Sequence, residues 1–443
     1  MFSNLKNVFK VPDLRNKILF VMAMVALYRV GVAIRVPGID ADAVRQFKAS
    51  ANTQGALGFF NLFSGGAFAS FSIFALGIMP YITASIIMQV LGVVIPKLEK
   101  LQQEGASGQR KITQYTRYLA IGISTLQATA LTFIFGNGNG NAFFGAAQRY
   151  PQNLKLLPDG MFPRGYLVII TLVGGTAALM WIGELISQRG IGNGMSMVIF
   201  ASVVSSLPSG FYNVFLSKGW FVFTLLLLLC LGIVVAVVKV ELAQRRIPVQ
   251  FAKRVVGRRQ FGGQSTYIPL KVNQSGVVPI IFASSVLLLP VLATNLLGSS
   301  DEGSWRFQVQ QWVDNNLVND HGLVYITLFS LMIIAFAYFY NSIAFDPIRQ
   351  ADQIRRQGGF IPGIRPGPQT ERYLGKAVNR ITLPGAVFVA TIAIMPYILL
   401  WAFDVRNFPF ARTTVLIAVG VALELMRQID SQLMLRNYEG FLK

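Results

Sequence analysis

With 443 residues, 53% of them hydrophobic and 13% charged, and a mean hydropathy of +0.53, the chain departs from soluble globular composition, in which about a quarter of residues are charged. Lys and Arg outnumber Asp and Glu by 39 to 19, a net charge of +20; in a lipid-dwelling chain this excess reports orientation, through basic cytoplasmic loops, before it reports nucleic acid. A single cysteine, Cys230, and a single histidine, His321, exclude an intrachain disulfide and any site that needs two histidines.

A hydrocarbon core about 30 Å thick needs roughly 20 apolar residues per helix, and the sequence offers about ten such runs. They are continuous, not alternating, which selects helices over a barrel. The stretch MFSNLKNVFKVPDLRNK is basic and amphipathic without a small-residue cleavage site, and reads as an anchor. The first predicted span is Ile18 to Val36, where snorkelling or helix pairing accounts for Arg29. Gly55 to Ser70, rich in Gly, Phe, Ser and Asn, is too polar to cross and precedes a predicted span from Phe71 to Ile95. A half-apolar segment of this kind is predicted to be re-entrant, which membranes tolerate where protein buries it or it lines an aqueous cavity.

A basic loop with Lys97, Lys100, Arg110, Lys111 and Arg117 leads to span three, Tyr118 to Phe135. Gly136 to Asn141 reads as low-complexity loop without a phosphate-binding lysine. Spans four and five, Tyr166 to Ser187 and Gly194 to Leu207, flank the tight turn RGIGNG, which has no preceding strand and so is no dinucleotide fingerprint. Span six, Trp220 to Val238, enters the most basic loop, with Lys253, Arg254, Arg258, Arg259 and Lys271 against Glu241. Span seven, Val272 to Leu297, is followed by an acidic loop and by span eight, Leu323 to Phe345. A further basic loop carrying Arg365 leads to spans nine and ten, Ile381 to Phe403 and Phe410 to Ile429. The strongly basic loops fall on the side of the amino terminus, so both termini are expected to be cytoplasmic; the loop with Arg149, Lys155 and Arg164 departs from that alternation.

One pattern occurs twice: Gly77-x-x-Pro80-x-Ile82-x-Ala84-Ser85 and Gly276-x-x-Pro279-x-Ile281-x-Ala283-Ser284. If the copies open equivalent spans, the chain is two halves of five, expected at 1–217 and 218–443, and an odd count inverts the second half against the first. A path through the membrane then forms at their interface. Ordinary close packing of membrane helices explains the same small residues equally well.

GxxxxGK[ST], HExxH and GxSxG are all absent, so the chain is not expected to be an enzyme, nor to hold a cofactor or metal. Carboxylates within spans are few; Glu184 and Glu424 lie toward span ends, where pairing or solvation explains them. That scarcity favours a passive conduit over a secondary transporter of a small solute driven by ions, which remains the alternative, with a structural scaffold as a third reading. Ile78 and Ile82, and Met195 and Ile199, each share one helix face, which suits either core packing or a dry apolar seal.

The segments FNLFSGGAFASFSIFALGIMPYITASIIMQ, EGASGQRKITQYTRY, ISQRGIGNGMSMVIFA, STYIPLKVNQSGVVPIIFASS and GFIPGIRPGPQT resemble the SecY family, large channel-forming subunits of bacterial protein translocases, and the similarity runs nearly end to end. The resemblance implies an all-α polytopic membrane protein with about ten transmembrane helices in two inverted pseudo-symmetric five-helix halves around a central pore. It implies translocation of unfolded preproteins across the bacterial inner membrane and lateral release of apolar segments into the bilayer. By the same resemblance, a short re-entrant plug helix at 57–70 includes Asn61, Phe63, Ser64, Gly65, Gly66 and Ser70, and the pore ring is Ile78, Ile82, Met195, Ile199, Ile281 and Ile417. Met195 stands where a typical ring has isoleucine. Thr83, Gln127 and Asn273 map to a lateral gate, with hydrogen bonds across it, and Lys253, Arg254, Arg258, Arg259 and Arg365 to docking of a motor or ribosome. Implied partners are SecE and SecG subunits, the SecA ATPase, the ribosome with its RNA, signal peptides and nascent chains, and membrane lipids.

Overall fold

The computed structural model describes residues 11–50, 61, 63–136, 164–251, 254–256, 259–261, 265–296, 305–318, 322–403 and 414–439. Its helices are α1 (Pro12–Ala33), α2 (Ala41–Ser50), α3 (Met79–Val94), α4 (Pro96–Gln103), α5 (Ala106–Gly136), α6 (Arg164–Arg189), α7 (Gly194–Leu242), α8 (Val278–Leu296), α9 (Trp305–Val313), α10 (Leu323–Ala344), α11 (Pro347–Arg356), α12 (Pro368–Phe403) and α13 (Thr414–Glu439). Among the described residues five stretches are each long and apolar enough to cross a membrane, drawn from α1, α6, the second part of α7, α10 and α12. The pair α3 and α4 reaches that standard together, bent by 105° at the Ile95–Pro96 junction. The remaining predicted runs fall on α5, the first part of α7, α8 and α13.

Of the boundaries that differ from the sequence reading, three have a clear local reason. Spans two and seven do not begin as helices at Phe71 and Val272: α3 starts at Met79 and α8 at Val278. In both, a glycine with positive φ precedes the helix, Gly77 at 59° and Gly276 at 58°, and Pro80 or Pro279 occupies the first turn. Proline lacks a donor that the first turn would leave unpaired anyway, so here it starts the helix. Spans five and six run together in α7 through Pro208 and separate at Gly219, whose φ of 75° and ψ of 178° break the helix.

The basic loop after α7 is a folded unit. Gln244–Phe251 (β1) and Ser265–Lys271 (β4) pair antiparallel with Ile247 opposite Ile268, and between them Arg254–Val256 (β2) pairs with Arg259–Phe261 (β3). Gly359–Phe360 (β5), from the loop after α10, adds to the other edge of β1. Alternation puts Ile247, Val249 and Leu270 on one face, where they pack with Ile354, Leu374 and Val378 of α11 and α12. Two basic loops far apart in sequence thus form one domain at one end of the helices.

Two larger apolar clusters fill the remainder. One gathers α1, α3, α5, α6 and the first part of α7; the other gathers the second part of α7 with α8, α10 and α12. At the seam, neighbouring residues divide between them: Ile280 and Leu416 enter the second cluster, whereas Ile281 and Ile417 enter the first.

Candidate functional site: an apolar seal, its plug and its gate

Five of the six predicted ring residues, Ile78, Met195, Ile199, Ile281 and Ile417, lie buried within a single cluster, and Ile82 packs against it half-buried. They come from α3 and the residue preceding it, α7, α8 and α13, so the structure brings both halves together at this point. Asn193 fixes the start of α7 by accepting the Met195 N–H at 3.0 Å. The thioether of Met195 rests where a side chain at Gly183 would stand, a built Cβ there lying 2.5 Å from the sulfur. An unbranched, polarizable side chain suits so shallow a gap. With no charge among the six, the arrangement can exclude water and ions without selecting by sign.

The predicted plug residues adjoin the ring, and Phe63 belongs to the same apolar cluster. Asn61 and Phe63 are helical, and from Ser64 to Ile78 the backbone follows successive turns in place of a continuous re-entrant helix; residues 57–60 and 62 of the expected plug lie outside the described residues. Left-handed Gly65 and Gly66, φ 63° and 88°, allow the reversal. Asn61 holds it: its carbonyl accepts the Gly66 N–H at 2.9 Å and its side-chain oxygen the Ala69 N–H at 3.2 Å. Ser64 Oγ accepts the Phe68 N–H at 3.0 Å. Phe63 and Ser64 are buried and Ser70 is half-buried.

Three residues that the sequence did not single out for this role clamp the turn. The Tyr28 hydroxyl donates to the Ser64 carbonyl at 2.9 Å and lies 2.6 Å from Ser202 Oγ, while Arg29 donates to the Gly65 carbonyl at 3.1 Å. Arg29 therefore neither snorkels nor pairs with a helix; it satisfies a carbonyl that the turn leaves free. Its charge near a span end was a readable signal, whereas Tyr28 and Ser202 gave none. Gly77 completes the seat, since a Cβ there would stand 3.1 Å from Ser64 Cα.

The three gate residues are not joined to one another. Thr83 donates to Met79 O at 3.0 Å within its own helix. Gln127 is buried on α5, and its Oε1 finds no hydrogen-bond partner among the described residues. Asn273 turns away from the first half, donating to Glu241 Oε1 at 2.6 Å and to Gly276 O at 3.2 Å. Among the described residues no hydrogen bond joins the three across the interface; Thr83 and Asn273 bond within their own half, where closer partners lie. The helices still meet, α3 touching α8. Elsewhere on the first half's wall, Arg117 of α5 and Glu184 of α6 form a two-pronged ion pair, the helix pairing expected of Glu184.

Beside Asn273 opens a cavity of about 540 Å³, lined among others by Glu241, Lys271, Gly276, Tyr340, Glu424 and Arg427. Arg427 donates to the Glu241 carbonyl at 2.9 Å. Partial burial and the Arg427 guanidinium hold the Lys271 ammonium below the usual lysine range, against the opposing pull of Glu241 and Glu424. Of the docking cations, Arg254 and Arg259 sit on the β2–β3 hairpin and Arg365 is exposed beyond β5; Lys253 and Arg258 lie outside the described residues.

The SecY family model matches residues 72–426. A relative from Streptomyces scabiei named protein translocase subunit SecY is 47% identical over 450 residues, covering 100% of both chains. In shape, the chain is similar to a solved structure described as showing that the plug domain of the SecY protein stabilises the closed channel and maintains a membrane seal. There the TM-score is 0.59 at 20% identity, with 93% of this chain and 90% of that one covered. It is also similar to a channel in the canine ribosome–channel complex of the endoplasmic reticulum, with TM-score 0.57, 18% identity and the same coverage. These structural likenesses carry the fold, and the end-to-end identity carries the lineage: this chain belongs to the SecY family.

Proposed function

We propose that the chain forms the protein-conducting channel of a translocase, passing unfolded preproteins across the bacterial cytoplasmic membrane and releasing apolar segments sideways into lipid. The observation that carries this reading is the seam: Ile281 and Ile417, from the second half, sit in the apolar cluster of the first half together with Ile78, Met195 and Ile199. A seal built from two separable bodies opens when they part and closes when they meet. The six ring residues form the seal; Asn61, Phe63, Ser64, Gly65, Gly66 and Ser70 form the plug; and α3 with α5, facing α8 with α10, form the gate bearing Thr83, Gln127 and Asn273. The halves, 1–217 and 218–443, divide beside the Gly219 break.

Work on the moving chain comes from partners, because no residue of this chain is assigned a reaction. The united basic domain, with Lys253, Arg254, Arg258, Arg259 and Arg365, faces the cytoplasm together with both termini and receives SecA or the ribosome, where phosphate contacts favour cations. SecE and SecG complete the assembly around the helices.

Reconstitution with these partners tests the function. Secretion of a signal-bearing precursor that requires SecA and ATP supports the channel; ion-coupled uptake of a small solute by this chain alone sinks it. For the seal, Ile82→Ser with Ile281→Ser should raise resting ion conductance in planar bilayers, and unchanged conductance would remove both residues from the ring.

A further inference from the structure

The nine-residue helix α9 lies between α8 and α10. The segment leading into α8 is bonded to the end of α7 beside the sheet, Val272 N–H to Ala243 O at 3.0 Å, and α10 returns to that sheet through β5. With α8 about 28 Å long by its rise, α9 therefore sits at the opposite ends of these helices, away from the basic domain. It presents one apolar side, buried at its end and exposed along the rest. Val313, with Leu317 of the π-helical turn Asp314–Val318 that follows, is buried in the second cluster. Trp305, Val309 and Trp312, at helical spacings of four and three, form a stripe that continues this apolar side from Val313 over an exposed stretch, 67%, 46% and 53% exposed.

Burial in the second cluster accounts only for the end of this side at Val313, and the exposed remainder lies near the start of a membrane-crossing helix. The π-helical turn touches both α8 and α10, and α10 opens on Leu323 and Val324, 81% and 44% exposed on a helix that crosses the membrane. The stripe is thus continuous with the lipid-facing side of the bundle at the level where a spanning helix ends. Its chemistry suits that level: tryptophan concentrates at the boundary between hydrocarbon and headgroups, and Arg306, 5.7 Å from the Trp305 ring, supplies a cation at the same depth. The other α9 side chains at exposed positions are glutamines, so no carboxylate within the helix opposes this placement.

We propose that α9 is an interfacial helix whose Trp305–Val309–Trp312 stripe lies in the headgroup–acyl boundary of the leaflet opposite the basic domain, docking the outer ends of α8 and α10 to lipid. This rests on the membrane reading of the chain and not on the nature of what it transports. The partner is the bilayer surface itself, and the helix lies along it, as an amphipathic helix of this size does.

Depth-dependent quenching tests it. The full chain, retaining only Trp305 or only Trp312 with its other tryptophans replaced by Phe, is reconstituted into phosphatidylethanolamine–phosphatidylglycerol vesicles carrying lipids brominated near the headgroup or near the chain end. Stronger quenching by the shallow label, with blue-shifted emission, is expected at both positions. Should the multiple replacement impair folding, Cys230→Ser with Val309→Cys, labelled by an environment-sensitive maleimide, gives the same readout. Quenching by external iodide without any effect of brominated lipid overturns the proposal. Protection from both quenchers that disappears on dilution of the protein in lipid also overturns it, by assigning the stripe to a second copy of the chain. Ion-coupled solute uptake would defeat the channel reading and leave this quenching result unaltered.

Discussion

Gly77 and Gly276 share a left-handed backbone, φ 59° and 58°, and each hands over to a helix with proline in its first turn. What surrounds them is different. A side chain at Gly77 would meet Ser64 of the plug at 3.1 Å, whereas nothing lies within 4 Å of one built at Gly276, which borders the charged cavity. One half has filled the space before its helix with the proposed plug turn, held by Asn61, Tyr28 and Arg29; the other leaves it open and lines it with Glu241, Lys271, Glu424 and Arg427. The repeat is thus preserved in the backbone and divided in chemistry, an apolar, dry seat around Gly77 and a charged, wet one around Gly276.

The largest test of that contrast replaces both glycines. Gly77→Val and Gly276→Val each pay roughly 1–2 kcal/mol for a side chain in the left-handed region. Gly77→Val adds roughly 1–3 kcal/mol of overpacking against Ser64. Thermal unfolding in detergent should therefore show the larger loss at Gly77, and only Gly77→Val should raise resting ion leak, by unseating the plug. Equal shifts and equal leaks at the two positions would dissolve the distinction.

Next come the polar clamps. Tyr28→Phe removes the hydroxyl shared by the Ser64 carbonyl and Ser202, which keep the Ala67 N–H and the Val198 carbonyl as partners, at a cost of about 0.5–1.5 kcal/mol inside the apolar cluster. Because the group is neutral and buried, the loss should not change between low and high salt. Asn273→Ala removes a hydrogen bond to the Glu241 carboxylate, worth roughly 1.5–3 kcal/mol when fully buried and less at a cavity wall. Since that carboxylate also feels Lys271 and Arg427, the loss should shrink as salt screens the cavity. Unfolding midpoints of both variants across a salt series decide the matter: a salt-dependent Tyr28→Phe or a salt-independent Asn273→Ala contradicts the dry and wet assignment.

The parts of this contrast differed in legibility. The spacing shared by Gly77-x-x-Pro80 and Gly276-x-x-Pro279 was visible as a pattern, because backbone conformation is written in residue type. Its effect was not readable in the pattern alone, since a proline starts or breaks a helix according to where the preceding glycine turns the chain. The basic loops were read as charge alone; the alternation in RRIPVQF and STYIPLK carried the hairpin, but β5 joins it from more than a hundred residues away, beyond any local pattern. Thr83, Gln127 and Asn273 were marked through the family resemblance. Which partners they choose depends on side chains such as Glu241 that only tertiary structure brings near. Tyr28 and Ser202 could not be found in advance, because a tyrosine and a serine in apolar spans look the same whether they hold a plug or merely pack.

The smallest expected effect lies on the gate wall of the first half. Arg117 and Glu184 pair across α5 and α6 with side chains 44% and 19% exposed, so water screens much of their attraction. Arg117→Gln should cost less than about 1 kcal/mol, and high salt should erase most of the difference from the parent chain. The bidentate fork orients α5 as well as holding it, and lysine cannot reproduce that geometry. Arg117→Lys should accordingly recover the charge-dependent part of the stability but not the position of α5. Crosslinking between Thr83→Cys and Gln127→Cys, in a chain carrying Cys230→Ser, reads that position. If crosslinking efficiency follows the stability of the two Arg117 variants step for step, the pair is a simple electrostatic tie. If only Arg117 itself supports the parent efficiency, the pair sets the angle at which the first half's gate wall faces the second.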